Sequence, residues 1–214
     1  MYQVDNSVQL EGIITFIEPI RYSRQRTPLL NCGLMTFRVN KQGKQCQKVF
    51  HALQFWGELA KTAESFRKGQ TIAITGSVTY SKYRGQDNRK IRVSRIDEVQ
   101  GTMANRISLK GKLSFINELT KASSDRDTAK LGLTTWTKSN KGPNFTFHAL
   151  RFWDQAAHDA VQLTKGANLH ILGRIHSFKF DNRTYHEIVV EKIEVLPMQQ
   201  KTDPRQMTLP GIAA

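Results

Sequence analysis

The heptapeptide Phe50-His51-Ala52-Leu53-Gln54-Phe55-Trp56 returns 97 residues later as Phe147-His148-Ala149-Leu150-Arg151-Phe152-Trp153. The same shift carries Lys68-Gly69 onto Lys165-Gly166, Gly76 onto Gly173, Tyr83 onto Phe180 and Ile91 onto Ile188 without a gap. Solenoid repeats are shorter and come in longer series, so one copy in each half of a 214-residue chain means two tandem domains of about 100 residues. The expected boundaries are 1–100 for the first domain, 101–106 for a linker, 107–197 for the second domain and 198–214 for a polar, flexible C-terminal tail.

Within each copy the hydrophobic spacing follows strands. Val8, Leu10, Ile14 and Phe16 recur around Gly12, and Ile107, Leu109, Leu113 and Phe115 repeat them, so each domain opens on a half-buried strand. A loop follows over 18–31, holding Pro19, Arg21, Arg24, Arg26 and Pro28; its counterpart over 117–128 is more mixed in charge, and the copies are expected to differ most here. Residues 33–41 and 130–138 read as second strands, with the heptapeptide in the third. Residues 57–68 carry Leu59, Ala63 and Phe66 at helical spacing before Gly69; the second copy opens on Asp154 as N-cap and spaces Ala156, Ala160 and Leu163 alike. A long strand over 71–83 then puts Ile72, Ile74 and Val78 inward around a bend at Gly76, matched by Leu169, Ile171, Gly173 and Ile175. The last strands span 89–99 and 185–196. Strand, strand, strand, helix, strand, strand is the order of an OB-fold, a small five-stranded Greek-key barrel. The predicted fold is all-β with one short helix per domain: two tandem OB-fold barrels.

Charge points to a polyanionic partner. Residues 1–101 hold 16 Lys and Arg against 8 Asp and Glu, and the remainder 16 against 10, so the +14 surplus is shared by both halves instead of sitting in one tail. Cys32 and Cys46 are the only cysteines and show no ligand spacing, which suits reduced thiols in the cytoplasm. The N-terminus lacks a signal-peptide profile, and no apolar run approaches the roughly 18 residues of a membrane span.

Enzymatic readings find little support, because the chain has no phosphate-binding glycine loop, nucleophile elbow or pair of carboxylates at a repeated position. His170, His176 and His186 follow no metal-ligand pattern and have no equivalents in the first copy, so neither metal nor cofactor is expected. His51 and His148 read as core histidines satisfied by hydrogen bonds.

The aromatic residues are more informative. Period two sends His51, Leu53 and Phe55 to one side of the third strand, and Phe50, Ala52, Gln54 and Trp56 to the other. In the second copy the outward set is Phe147, Ala149, Arg151 and Trp153, and on the following long strand Arg174, His176, Phe178 and Phe180 share a face. Single-stranded nucleic acid is held by bases stacked on aromatic rings, worth about 1–3 kcal/mol each, while cations track the phosphates. The candidate rings are Phe50, Trp56, Tyr83, Phe147, Trp153, Phe178 and Phe180; the candidate cations are Lys82, Arg84, Arg151, Arg174 and Lys179.

These residues also carry a family resemblance. Phe50-His51, Phe55-Trp56-Gly57-Glu58-Leu59-Ala60, Phe66-Arg67-Lys68-Gly69, Ile74-Thr75-Gly76 and Tyr83 resemble the bacterial single-stranded DNA-binding protein family, as do Glu18-Pro19-Ile20-Arg21-Tyr22 and Phe37-Arg38-Val39-Asn40. The resemblance covers nearly all of 7–100 and, more weakly, 106–196. It implies that the rings at Phe50, Trp56 and Tyr83, and by the repeat those at Phe147, Trp153 and Phe180, stack on DNA bases. It also implies four barrels per assembly, which two chains of two barrels supply as a homodimer. The hairpin at 84–88 is shorter than the family's, and the acidic tail ending in Asp-Ile-Pro-Phe is missing. In its place Gln206-Met207-Thr208-Leu209-Pro210-Gly211-Ile212 is similar to the bacterial sliding-clamp binding peptide, with Gln206 at a pocket rim and Met207, Leu209 and Pro210 at an apolar cleft.

The sequence therefore predicts a protein that binds single-stranded DNA without strong sequence preference, in replication, repair or recombination. An OB-fold adaptor associated with the clamp or primosome is the alternative, and nothing in the sequence reports on a 2′-hydroxyl to separate DNA from RNA.

Overall fold

The computed structural model describes residues 6–39, 42, 44–83, 86–139, 142–180 and 183–197, with 39, 81–83, 86–88, 137–139, 142–143, 179–180 and 183–184 described by their backbone alone. The first half contains β1 (Asn6–Ile17), β2 (Arg21–Tyr22), β3 (Pro28–Val39), β4 (Gln45–Trp56), α1 (Glu58–Ala63), β5 (Thr71–Tyr83) and β6 (Gln86–Asp97). The second repeats it as β7 (Asn105–Ile116), β8 (Thr120–Lys121), β9 (Asp127–Ser139), β10 (Gly142–Trp153), α2 (Gln155–Val161), β11 (Asn168–Phe180) and β12 (Arg183–Leu196).

Each half closes into a five-stranded barrel. β1 pairs antiparallel with β5 through its first part and with β3 through its last; β3 continues to β4, β4 runs parallel to β6, and β6 returns to β5. The second half makes the same ring. Alternate residues of every long strand fill the interior, led by Leu10, Ile14, Leu34, Leu53, Phe55 and Ile74 in one barrel and Leu109, Leu113, Leu133, Leu150 and Phe152 in the other. This is the two-barrel OB-fold architecture that the element order predicts. Where each long strand bends into the ring its partner carries a bulge, Ser94 of β6 opposite Thr75 and Gly76 and Glu191 of β12 opposite Leu172 and Gly173. A Cβ on Gly76 would lie 2.4 Å from the carbonyl oxygen of Arg92, and one on Gly173 2.3 Å from that of Val189, so only glycine fits.

The barrels are joined edge to edge. β1 pairs antiparallel with β7 from Asn6 opposite Leu109 to Leu10 opposite Asn105, which makes one continuous 12-stranded sheet. β7 begins at Asn105, inside the segment expected as linker. The connection before it is fastened by Glu11, which is 2% exposed and accepts hydrogen bonds from the backbone N–H groups of Gln100 (2.7 Å) and Met103 (3.0 Å). Burial works to raise the pKa of this carboxyl, but the amides of Gln100, Met103, Thr102 and Gly101 hold it below the usual 4.5.

Several expectations change in the structure. The loops over 18–31 and 117–130 share their backbone bonding, Glu18 N–H to Asn31 O and Asn117 N–H to Lys130 O, at a shift of 99. The copies instead differ in length at the hairpin between β3 and β4, which is shorter between β9 and β10, so the shift falls to 97 only from there on. The second strands expected over 33–41 and 130–138 are therefore two residues out of register with each other, and Gly33 corresponds to Gly132. The helices are shorter than their spacing suggests. α1 buries Ala60 and Ala63, and Phe66 lies past its end, edge-on to Phe55 at 6.1 Å. α2 buries Ala157 and Ala160, whereas Ala156 is exposed. Asp154 precedes α2 at φ 52, where Gly57 stands in the first copy at φ 61, and it makes no capping bond because its carboxylate is held by Arg126. No helix among the described residues is long and apolar enough to cross a membrane.

Candidate nucleic-acid interface

β4 and β10 follow strict alternation because each lies between a core on one side and solvent on the other. His51, Leu53 and Phe55 are buried, while the Phe50 ring is 56% exposed; in β10 His148, Leu150 and Phe152 are buried and Phe147 is 45% exposed. Trp56 and Trp153, at the ends of these strands, are half-buried and turned outward. The Trp56 indole N–H donates to Gln54 Oε1 at 2.8 Å, and the Arg92 guanidinium lies 5.5 Å from its ring centroid. Trp153 has Arg126 at 4.9 Å and Arg151 at 5.8 Å. Both indoles are thus braced by guanidinium groups; Arg92 beside Trp56 also raises the local positive potential, whereas Arg126 and Arg151 beside Trp153 are paired with Asp154 and Glu187.

The surface holds two further rings that the sequence pattern assigned to the core. A bulge in β1 between Ile14 and Phe16 turns Phe16 outward, to 49% exposure, and a matching bulge between Leu113 and Phe115 does the same in β7. Each ring lies on a glycine backbone: Cβ atoms on Gly33 and Gly132 would meet Phe16 and Phe115 at 2.3 Å. Phe115 also stacks on Phe147, centroids 5.6 Å apart and planes 19° from parallel. A small residue facing a large ring across β1 and β3 was the readable signal for this, once the bulge is allowed.

The candidate cations occupy different settings. Arg151 is enclosed, its side chain 13% exposed, with Glu187 at 2.9 Å and Thr128 Oγ1 at 3.2 Å. The equivalent pair in the first barrel is Gln54 and Lys90, both hydrogen-bonded to Asn31 Oδ1, so the first barrel keeps a positive charge where the second holds a neutral ion pair. Arg174 pairs with Glu191 at 3.3 Å. Phe178 stacks between His176 and Tyr185, centroids 6.1 and 5.7 Å away. Lys82 and Tyr83 end β5, and Lys179 and Phe180 end β11, at the two long hairpins; Arg84 lies outside the described residues, as do Gln206, Met207, Leu209 and Pro210.

The histidines serve the interior and the strand faces. His51 and His148 are buried and hydrogen-bond Thr36 and Thr135 Oγ1 at 2.9 Å. Burial, with nearby positive charge, pushes both imidazoles down to a pKa of about 3. His170 bonds Ser108 at 3.0 Å, His186 bonds Ser177 at 2.7 Å and His176 lies 3.4 Å from Glu187, so these three have separate partners.

Residues 5–101 match the family model described as the single-strand binding protein family. The single-stranded DNA-binding protein of Xylella fastidiosa (strain Temecula1) is 33% identical over 101 residues, which make up 44% of this chain and 62% of that protein. The chain thus covers less than two thirds of that relative's length. Two crystal structures of the single-stranded DNA binding protein from Thermus aquaticus, the wild type and a deletion mutant, superpose with a TM-score of 0.76 at 20% and 21% identity. They cover 97% and 95% of this chain and the whole of each neighbour, so the likeness spans both barrels and their junction.

Proposed function

We propose that the outward faces of both barrels bind single-stranded DNA without strong sequence preference, stacking bases on Phe50, Trp56, Phe147 and Trp153 and drawing the phosphates by basic charge, in replication, repair or recombination. The observation that carries this reading is the exposure of Phe50 and Phe147 at equivalent positions of β4 and β10. A large ring left largely in water on a strand whose alternate residues build the core gives up most of its burial, whereas its open face serves as a stacking platform for a base; Phe50 offers the wider face, and Phe147 offers the face that Phe115 leaves uncovered. Phe16, Phe115 and the aromatics at the hairpin ends, Tyr83 and Phe180, extend the platform, and Phe178 contributes through the row of rings it forms with His176 and Tyr185. Lys90, Arg92 and Arg126 join Lys82, Arg84, Arg174 and Lys179 as the basic surround, and Arg151 acts by orienting Trp153.

The match over residues 5–101 supports the reading for the first barrel, and the repeat extends it to the second. Two chains would give four barrels, and we assign the protein a homodimeric state, which light scattering tests as twice the 24.4 kDa chain mass. Titration of labelled oligo-dT, oligo-rU and duplex at two salt concentrations, followed by tryptophan emission, tests the function. Tight, salt-dependent, quenching binding of oligo-dT is expected; equal weak binding of all three would overturn the reading.

A further inference from the structure

The two halves of the chain are related by an approximate twofold, and at the junction between the barrels they break it. Position 80 of the first copy corresponds to 177 of the second, and position 89 to 186. Tyr80 and Arg89 are cross-strand neighbours in the first barrel; Ser177 and His186 are cross-strand neighbours in the second. On one side of the junction Tyr80 sets its ring edge-on against His148, centroids 6.1 Å apart, and Phe115 and Phe147 close on each other over Gly132. On the other side the small Ser177 stands where Tyr80 would be, and a cleft of about 220 Å³ remains between β4 of the first barrel and β11 and β12 of the second. Phe16, Phe50, His51, Arg89, Ile175 and His186 line it.

Arg89 is the unusual member. Its guanidinium lies 5.7 Å from the Tyr80 ring centroid, its Nη2 is shut off from solvent without a hydrogen-bond partner, and no carboxylate among the described residues pairs with it. A guanidinium is always charged, and one that is buried and unpaired destabilises the fold that holds it unless an anion is supplied from outside. The histidines beside it offer no negative charge. Burial, reinforced by Arg89 itself, pushes His51 down to a pKa of about 3 and His186 to about 4, so both are neutral near pH 7. The walls on the open side are the exposed rings Phe16 and Phe50, and Lys90 stands next to Arg89 in the lining. Beyond Ile175 a second, polar cleft continues the junction with Arg38, Arg106 and Arg174. A volume of this size lies below the roughly 300–1,000 Å³ of small-molecule sites, which suits one phosphate group beside a ring better than a free metabolite.

We propose that the cleft is a phosphate site for single-stranded DNA crossing from one barrel to the other, with Arg89 as its anion ligand and a neighbouring base against Phe50 or Phe16. The proposal rests on the single-stranded DNA reading above. Turning the guanidinium toward the cleft breaks no hydrogen bond at Nη2, and the bidentate fork then matches a phosphodiester.

The test compares full-length wild type with Arg89→Met and Ser177→Tyr. Oligo-dT affinity is measured from about 50 to 200 mM salt, and thermal stability is measured with and without inorganic phosphate. Losing one phosphate contact should weaken Arg89→Met binding by about 3- to 10-fold at the low-salt end and flatten the log–log salt slope by roughly 0.7 to 1. Its melting temperature should not fall, since an unpaired buried charge has been removed. Ser177→Tyr should reduce affinity in the same way by filling the cleft. If wild type binds oligo-dT and both variants bind with its affinity and slope, the inference fails and the proposed function stands. Lower stability with unchanged binding would make Arg89 a structural residue and likewise overturn the inference. Stabilisation of wild type by inorganic phosphate, with no change of slope in Arg89→Met, would mark a free-anion site and overturn the DNA assignment. A wild type that does not bind oligo-dT overturns the proposed function and this inference together.

Discussion

Val8 stands opposite Ile107 in the strand pair that joins the barrels, and the two are the same position of the repeat. Both are buried, at 0% and 2% exposure. Equivalent residues meeting in an antiparallel pair place the approximate twofold between them, so the chain holds an internal dimer with β1 and β7 as its shared edge. Asn6 and Asn105 repeat the symmetry, each bonding both backbone groups of its counterpart residue, Val78 or Ile175, at 2.9 and 3.0 Å.

Phe50→Ala and Phe147→Ala should each weaken oligo-dT binding by about 1–3 kcal/mol, the range for removing a stacked base's platform. Because the Phe50 ring faces water, its urea midpoint should stay close to wild type, while Phe147→Ala also loses the stack on Phe115 and should lower the midpoint slightly. A large drop in midpoint with unaltered affinity would return either ring to a packing role.

The buried histidines give the fold an acid limit. His51 and His148 titrate at about 3 in the folded chain and near 6.5 when it is unfolded. Their neutral forms are therefore fully compatible with folding above pH 6.5, and stability is lost as pH falls toward 3, because the unfolded chain takes up protons first. The slope approaches on the order of 1 kcal/mol per pH unit for each histidine. His51→Gln should flatten the dependence of unfolding free energy on pH between 6.5 and 4; an unchanged slope would assign the acid sensitivity elsewhere.

Glu11 acts in the same direction at lower pH. Its folded pKa lies below 4.5, so its hold on the connection is complete above that value and released as pH falls through the folded pKa. Glu11→Gln should accelerate amide exchange at Gln100 and Met103 and sensitise residues 100–104 to proteolysis at neutral pH. Exchange rates equal to wild type would show that the linker is held by β7 alone.

Gly76→Ala drives a methyl into the carbonyl of Arg92 at 2.4 Å. Backbone cannot step aside as a side chain can, so the substitution should cost about 1–3 kcal/mol in chemical denaturation. A neutral result would mean that the bulge in β6 opposite Thr75 and Gly76 shifts register freely.

If the resemblance of Gln206 to Pro210 to a clamp-binding peptide carries that activity, Gln206→Ala combined with Leu209→Ala should abolish binding to a bacterial sliding clamp in a calorimetric titration and leave oligo-dT affinity unaltered. Absence of clamp binding by wild type at tens of micromolar would make the Gln206 to Pro210 match fortuitous.

The readable parts of this chain were those set by local periodicity and by repetition. Two barrels, the inward row His51, Leu53 and Phe55 and the outward row Phe50 and Trp56 follow from repetition and strand parity, which act between neighbours in sequence, and Gly76 and Gly173 are legible as interruptions of that parity although the contacts that require them, with Arg92 and Val189, lie across the sheet. Long-range pairing governed the rest. Phe16 faces water because a bulge in β1 reverses its parity, and alternation in a single strand cannot show where a partner strand slips by one residue. Arg151 is withdrawn from the surface by Glu187, 36 residues away on β12, and the carboxylate is neutralised in return. Tyr80 and Ser177, Arg89 and His186 look like unremarkable substitutions between repeats until the twofold sets them on opposite sides of one junction. There a ring closes one side and a hydroxyl leaves the other open. Shape at an interface depends on which side chains meet across it, and that is a property of the packed pair of barrels alone.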